Sequence, residues 1–178
     1  MVRALGRLGA LLDATADPPS MELFLIGGGA GLLTGTLDPK VTTVDCDVMD
    51  VLPHEAWNSI KDAASAVASE LGLAENWLNR ESRIFGHLVP LGWKRRCKRI
   101  GTFGPLTVHA ICRKDLIACK VMAAVKRPAD RELLIGLKLT ADEIAFARAN
   151  IQRVANESAD RNTFDDELAI LDALEQSR

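Results

Sequence analysis

The chain has 178 residues, enough for one sizeable core with a small appended part but not for two full domains. Hydrophobic residues at 48% and charged residues at 26% exclude disordered and membrane classes. With 22 basic and 24 acidic side chains, the formal net charge of -2 excludes a global pull toward nucleic acid or an acidic membrane, so any basic site must be local. "MVRALGRLGALLDATADPP" reads as an amphipathic helix ended by Pro18 and Pro19. Arg3, Arg7 and Asp13 interrupt the apolar core that an export signal requires, and the expected location is cytoplasmic, with no membrane partner. The four cysteines form no CxxC pair and are expected to be free thiols.

Met21 to Ile26 is an apolar run stopped by glycine and predicts a buried strand. A short helix follows from Gly28 to about Leu33, ended by Gly35, Asp38 and Pro39. Thr42 to Met49 alternates, with Val44, Cys46 and Val48 on one face and Thr43, Asp45 and Asp47 on the other, which predicts a second strand with both carboxylates on one side. Alanine-rich Pro53 to Leu73 predicts a helix closed by Gly72. "RIFGHLVPLG", "KRIGTF" and "PLTVHAI" read as short β-type runs. Helices are expected over Lys114 to Val125, Asp130 to Leu139, from Thr140 with Glu143 in the capping-box position, and over Phe164 to Gln176. The fold class expected is α/β (α+β): a small mixed sheet flanked by helices, with a helical C-terminal part.

The glycines and aspartates carry the chemistry. A dinucleotide-binding turn would use Gly27 and Gly29 with an acid about 20 residues on, and Asp45 and Asp47 lie 18 and 20 residues after Gly27. The third glycine position falls on Leu32, and no second strand–helix–strand unit follows. Alternatively, two carboxylates at i and i+2 on a strand hold one Mg²⁺ together with substrate phosphates, while backbone amides at Gly28 meet those phosphates. In the plainest reading the glycines form a turn and the acids a solvated strand face. Two adjacent in-facing acids would then cost several kcal/mol unless paired.

A strand, then "GG" opening a short helix, then a TxDxD strand (Thr43-Val44-Asp45-Cys46-Asp47) resembles the nucleotidyltransferase fold shared with DNA polymerase beta, and in particular the AbiEii-like and DUF6036-type group. "DLIACKVMAAVKRPAD", with Asp115, Leu116, Lys120, Ala124, Arg127 and Asp130, is similar to that group's second motif. The resemblance spans about residues 22 to 135. It implies transfer of a nucleoside monophosphate from an NTP to a hydroxyl of RNA, including tRNA, or of another macromolecule. Asp45 and Asp47 would be ligands of Mg²⁺ and catalytic. Gly27, Gly28, Gly29, Thr43 and Arg127 would lie at the nucleotide, and Lys120 would contact phosphate or balance the acids. A toxin paired with an antitoxin partner is also implied. The chain departs from the pattern at Gly28, where many members have serine, and at Leu133, where a further acid is common. It also lacks a third carboxylate on a later strand, where "LTVHAI" offers His109; Asp130 is preferred as the substitute base.

The domain organisation expected is a nucleotidyltransferase-like domain over 1–135, including an N-terminal helix over 1–19, and a helical extension over 136–178. "GWKRRCKR" places Lys94, Arg95, Arg96, Lys98 and Arg99 beside Trp93. This is either an RNA contact, with Trp93 stacking a base, or an edge strand guarded by charge. Two other function classes stay open: a silent nucleotide-binding module, and an antitoxin-type or scaffold protein that uses its C-terminal helices.

Overall fold

The computed structural model describes residues 1–15, 17–43, 45–158 and 164–177. It is an α/β protein with a five-stranded mixed sheet, flanking helices and a helical C-terminal part. The strands are β1 (Met21–Ile26), β2 (Cys46–Leu52), β3 (Leu78–Asn79), β4 (Lys98–Phe103) and β5 (Leu106–Ala110), in the order β3-β2-β1-β5-β4. β1 runs antiparallel to β2 and parallel to β5, β3 runs parallel to β2, and β4 and β5 form an antiparallel hairpin. The helices are α1 (Val2–Asp13), α2 (Gly27–Leu33), α3 (Trp57–Leu71), α4 (Trp93–Arg96), α5 (Arg113–Ala124), α6 (Pro128–Gly136), α7 (Ala141–Glu157) and α8 (Asp165–Gln176). No helix among the described residues is long and apolar enough to cross a membrane.

The chain divides into two compact units. The first, Met1–Ile84 with Lys94–Cys112, holds the sheet and α1 to α3. Because side chains alternate across a strand, register assigns Leu23 and Leu25 of β1, Val48 and Val51 of β2, and Val108 and Ala110 of β5 to one face, and all six are fully buried. Leu5, Leu8 and Leu12 recur on α1 at helical spacing and are buried with them. α1 packs on α3 and on β4, and it approaches β4 closely enough that a Cβ on Gly9 would lie 2.2 Å from the Phe103 carbonyl oxygen. α3 ends at Gly72 in the left-handed region (φ 65°), as its sequence predicts. Trp77 is buried and donates from Nε1 to the Ala64 carbonyl at 2.9 Å.

The second unit, Phe85–Trp93 with Arg113–Arg178, has its own apolar core. Ile117 and Val121 of α5, Leu134 of α6, Ile144 and Ile151 of α7, and Leu171 of α8 form its centre. α5 touches α6, α7 and α8, and apolar residues therefore surround it rather than forming one stripe. Thr140 and Glu143 close the capping box that the sequence predicts. The 85–93 segment is held by Asn150 Nδ2 donating to the Leu88 carbonyl at 2.9 Å and by Arg153 donating to the His87 and Val89 carbonyls at 3.2 Å.

Two expectations are corrected. β2 begins at Cys46 and runs to Leu52, so Asp45 precedes the strand and only Asp47 lies on it; Val44, expected on its apolar face, is outside the described residues. "RIFGHLVPLG" is not a strand: 3-10 turns run from Glu81 to Leu88, and Ile84 and Phe85 are 73% and 53% exposed, so their apolar character does not mark burial. The helical unit takes in α5 and α6.

Candidate functional site

The glycine turn and the aspartates meet in the first unit. Gly27 has φ +74°, a left-handed conformation that an L side chain rarely adopts, and a Cβ there would stand 2.4 Å from Asp47 Oδ2. The Asp47 carboxylate therefore lies directly against the first residue of α2. Its other oxygen, Oδ1, accepts from Ser82 Oγ at 3.1 Å. Thr43 Oγ1 donates to Asp45 Oδ1 at 3.1 Å and would be 3.4 Å from a Cβ on Gly28, which ties the Asp45 carboxylate to a side chain beside the turn. The close approach extends to Gly29, where a Cβ would be 2.9 Å from the Asp45 carbonyl oxygen. Tertiary approach, as much as turn chemistry, requires glycine here.

A third carboxylate belongs to this surface. Ile26 pairs with Asp47 and Leu25 with Val48, but Phe24 pairs with Asp50, because a bulge absorbs Met49. Without the bulge, Asp50 would point away from Asp47; with it, both share the face of Phe24 and Ile26. Strict alternation conceals this. The available signal is the adjacent apolar pair Val48-Met49, both buried, after which alternation resumes.

Asp50 is heavily engaged. Lys94 Nζ donates to its Oδ2, the Val51 N–H donates to Oδ1 at 2.9 Å, and His54 Nδ1 lies 3.3 Å from Oδ1. Burial raises the carboxyl pKa, but the Lys94 hydrogen bond, the Val51 N–H and the charges of Lys94 and His54 outweigh it and hold Asp50 below the ordinary aspartate value. A depressed folded-state value stabilises the fold above the unfolded pKa, and the stabilisation is lost as pH falls through the folded one. Asp50→Asn is accordingly expected to lower stability by about 1–2 kcal/mol at pH 7, a charge-assisted bond discounted for the half-exposed lysine. Urea titrations should show a constant gap above about pH 5 that closes below about pH 4 as the wild-type carboxyl protonates.

His109 shares this sheet face. Its ring stacks on Phe24 with centroids 4.8 Å apart, and its Nε2 is 3.3 Å from Glu22 Oε2 without hydrogen-bond alignment. Its partners are a neighbouring strand's aromatic ring and acid.

Lys120, Arg127 and Asp130 fall in the second unit. Lys120 Nζ donates to Asp130 Oδ1 at 2.5 Å, with the side chains only 12% and 7% exposed, and Arg127 Nε lies 3.6 Å from Asp130 Oδ2. The lysine assigned to phosphate and the acid assigned as base are thus each other's partners.

The basic stretch divides between two elements. Trp93 to Arg96 forms the short helix α4, whereas Lys98 and Arg99 are exposed on β4, an edge strand of the sheet. Lys94 is committed to Asp50, and Arg99 donates to Thr102 Oγ1. Charges on β4 fit a guarded edge.

Among the described residues, no group of three or more His, Cys, Asp or Glu side chains is arranged to hold a metal ion. The chain offers Asp45 and Asp47, a donor set that suits Mg²⁺, which takes one or two carboxylates together with waters and substrate phosphates. No protein-family model, curated protein or solved structure matches this chain.

Proposed function

We propose that the chain is a Mg²⁺-dependent nucleotidyltransferase that moves a nucleoside monophosphate from an NTP to a hydroxyl of RNA. One observation carries the reading: the Asp47 carboxylate lies against Gly27, and the Asp45 carboxylate is held by Thr43, whose hydroxyl stands beside Gly28. Carboxylates beside backbone without side chains are what a metal-bound triphosphate needs, since phosphates can approach amides there while acids face the cation. Mg²⁺, when bound by Asp45 and Asp47, supplies charge neutralisation at the phosphoryl group.

The chain's residues do the remainder. Ser82 and Thr43 each occupy one carboxylate oxygen and fix the rotamers, so that little reorganisation is needed on binding. Asp50, held by Lys94, keeps a lysine charge at the sheet face without becoming a ligand itself. Lys120 and Asp130 hold α5 and α6 together. The exposed Arg95 and Lys98 are the residues for an RNA backbone.

The test is label transfer from each α-labelled NTP to total tRNA with Mg²⁺. Wild type is expected to transfer label, and Asp47→Asn to lose at least about 100-fold, the scale of removing one preorganised electrostatic partner. Transfer that survives Asp47→Asn overturns the proposal. A second reading, nucleotide binding without transfer, is favoured by the lack of a three-residue metal group among the described residues. It predicts Mg²⁺-dependent NTP binding with no label on any acceptor.

A further inference from the structure

A groove of about 450 Å³ opens on the second unit where α6 meets α8, lined by Leu134, Ile135, Lys138, Leu139, Leu174 and Ser177. Its floor is apolar, with Leu139 and Leu174 almost buried and Leu134 wholly so. Ile135 differs from them. It lines the same groove but is 58% exposed, on a helix whose opposite side gives Leu134 to the core. A single exposed isoleucine is ordinary, whereas one beside an apolar groove and between two open charges is a recognition pattern.

Those charges are Glu132, three residues before Ile135, and Lys138, three residues after it, and both are exposed. Among the described residues neither side chain has an ion pair or hydrogen bond. Arg113, Lys120, Arg148 and Arg153 of the same unit each hold an acid, so the opposite charges flanking Ile135 stand out as unused. Lys138 has φ +49°, a left-handed conformation that usually falls to glycine just after a helix. A lysine is kept at the groove despite that backbone.

The pattern is complementary to itself. In a two-fold symmetric pair, whatever residue i of one copy meets at j, its own j meets at the other copy's i, so a projecting side chain must lie next to the hole that its counterpart fills. Ile135 and the groove satisfy this. With the two α6 helices antiparallel about an axis near Ile135, each isoleucine enters the other copy's groove, and each Glu132 faces the other copy's Lys138. Gly136 leaves the approach open, since nothing lies within 4 Å of a Cβ placed there. We infer that this face joins two copies of the chain into a homodimer. The face is small against the roughly 800 Å² per partner of a standard interface, so the dimer is a weak one. None of its residues takes part in the proposed transferase site, and the inference stands apart from that reading.

Sedimentation velocity of the full chain across the micromolar range tests it. The sedimentation coefficient is expected to rise with concentration from that of one chain toward that of two. Ile135→Asp, at an exposed position, is expected to keep the protein monomeric. Glu132→Lys and Lys138→Glu each set like charges opposite one another across the axis, and each is expected to weaken self-association at least about tenfold. Mixing these two single variants opposes unlike charges at both contacts again, and the mixture is expected to dimerise as the wild type does. Damage to α6 by either substitution cannot be repaired by mixing, so this arm separates an interface from a structural effect. A wild type that stays monomeric at every concentration leaves the groove to some other partner and overturns the inference. Association indifferent to Ile135→Asp, or a mixture no better associated than either variant alone, would overturn it too.

Discussion

Lys120→Met is expected to destabilise the protein by about 3–5 kcal/mol in urea unfolding at pH 7, the scale of leaving one member of a buried ion pair uncompensated. Asp130 is 5% exposed, and the residual partner, Arg127, lies 3.6 Å away on a 71% exposed side chain, so it replaces little of the loss. The decisive comparison is the double variant Lys120→Met/Asp130→Leu. With both charges removed neither member of the pair is left uncompensated, and most of the lost stability should return. Label transfer in the folded double variant then separates the roles. Retained transfer marks the pair as an α5–α6 tie, whereas loss of transfer at recovered stability returns Lys120 or Asp130 to the reaction.

Gly27→Ala is expected to cost roughly 2–3 kcal/mol and to abolish transfer together with the fold's margin at the turn. Two effects add: the left-handed backbone at φ +74°, and the 2.4 Å approach of a Cβ to Asp47 Oδ2. Gly35→Ala isolates the first. Gly35 has a similar φ of +70°, but nothing lies within 4 Å of its Cβ position, so it should cost only about 1 kcal/mol. The difference between the two variants measures how firmly the carboxylate is pressed against the turn. Pushing Asp47 aside should also weaken NTP binding in Gly27→Ala, which Gly35→Ala leaves intact.

What the sequence discloses depends on whether the deciding forces are local. β1 is legible to the residue because an apolar run meets glycine, and α7 because Thr140 and Glu143 satisfy each other's backbone groups within one turn. The Gly27–Asp47 contact follows from strand order and is legible only as a suspicion raised by spacing. Asp50 is concealed because a bulge is a property of two paired strands: the extra residue, Met49, is defined only once Phe24 and Leu25 are laid beside β2. The pairing of Lys120 with Asp130 is likewise invisible, since it depends on α6 folding back along α5. In the stretch from Glu81 to Leu88, apolar letters without burial imitate a strand.

The central claim is that Asp45 and Asp47 take a divalent cation jointly with a triphosphate. Electron paramagnetic resonance of Mn²⁺, titrated with and without a non-hydrolysable NTP, tests it most directly. The account predicts that Mn²⁺ binding tightens when the NTP is present, and that Asp45→Asn and Asp47→Asn each abolish the tightening while Asp50→Asn preserves it. Mn²⁺ binding that is indifferent to the NTP, or unchanged in Asp47→Asn, would contradict it.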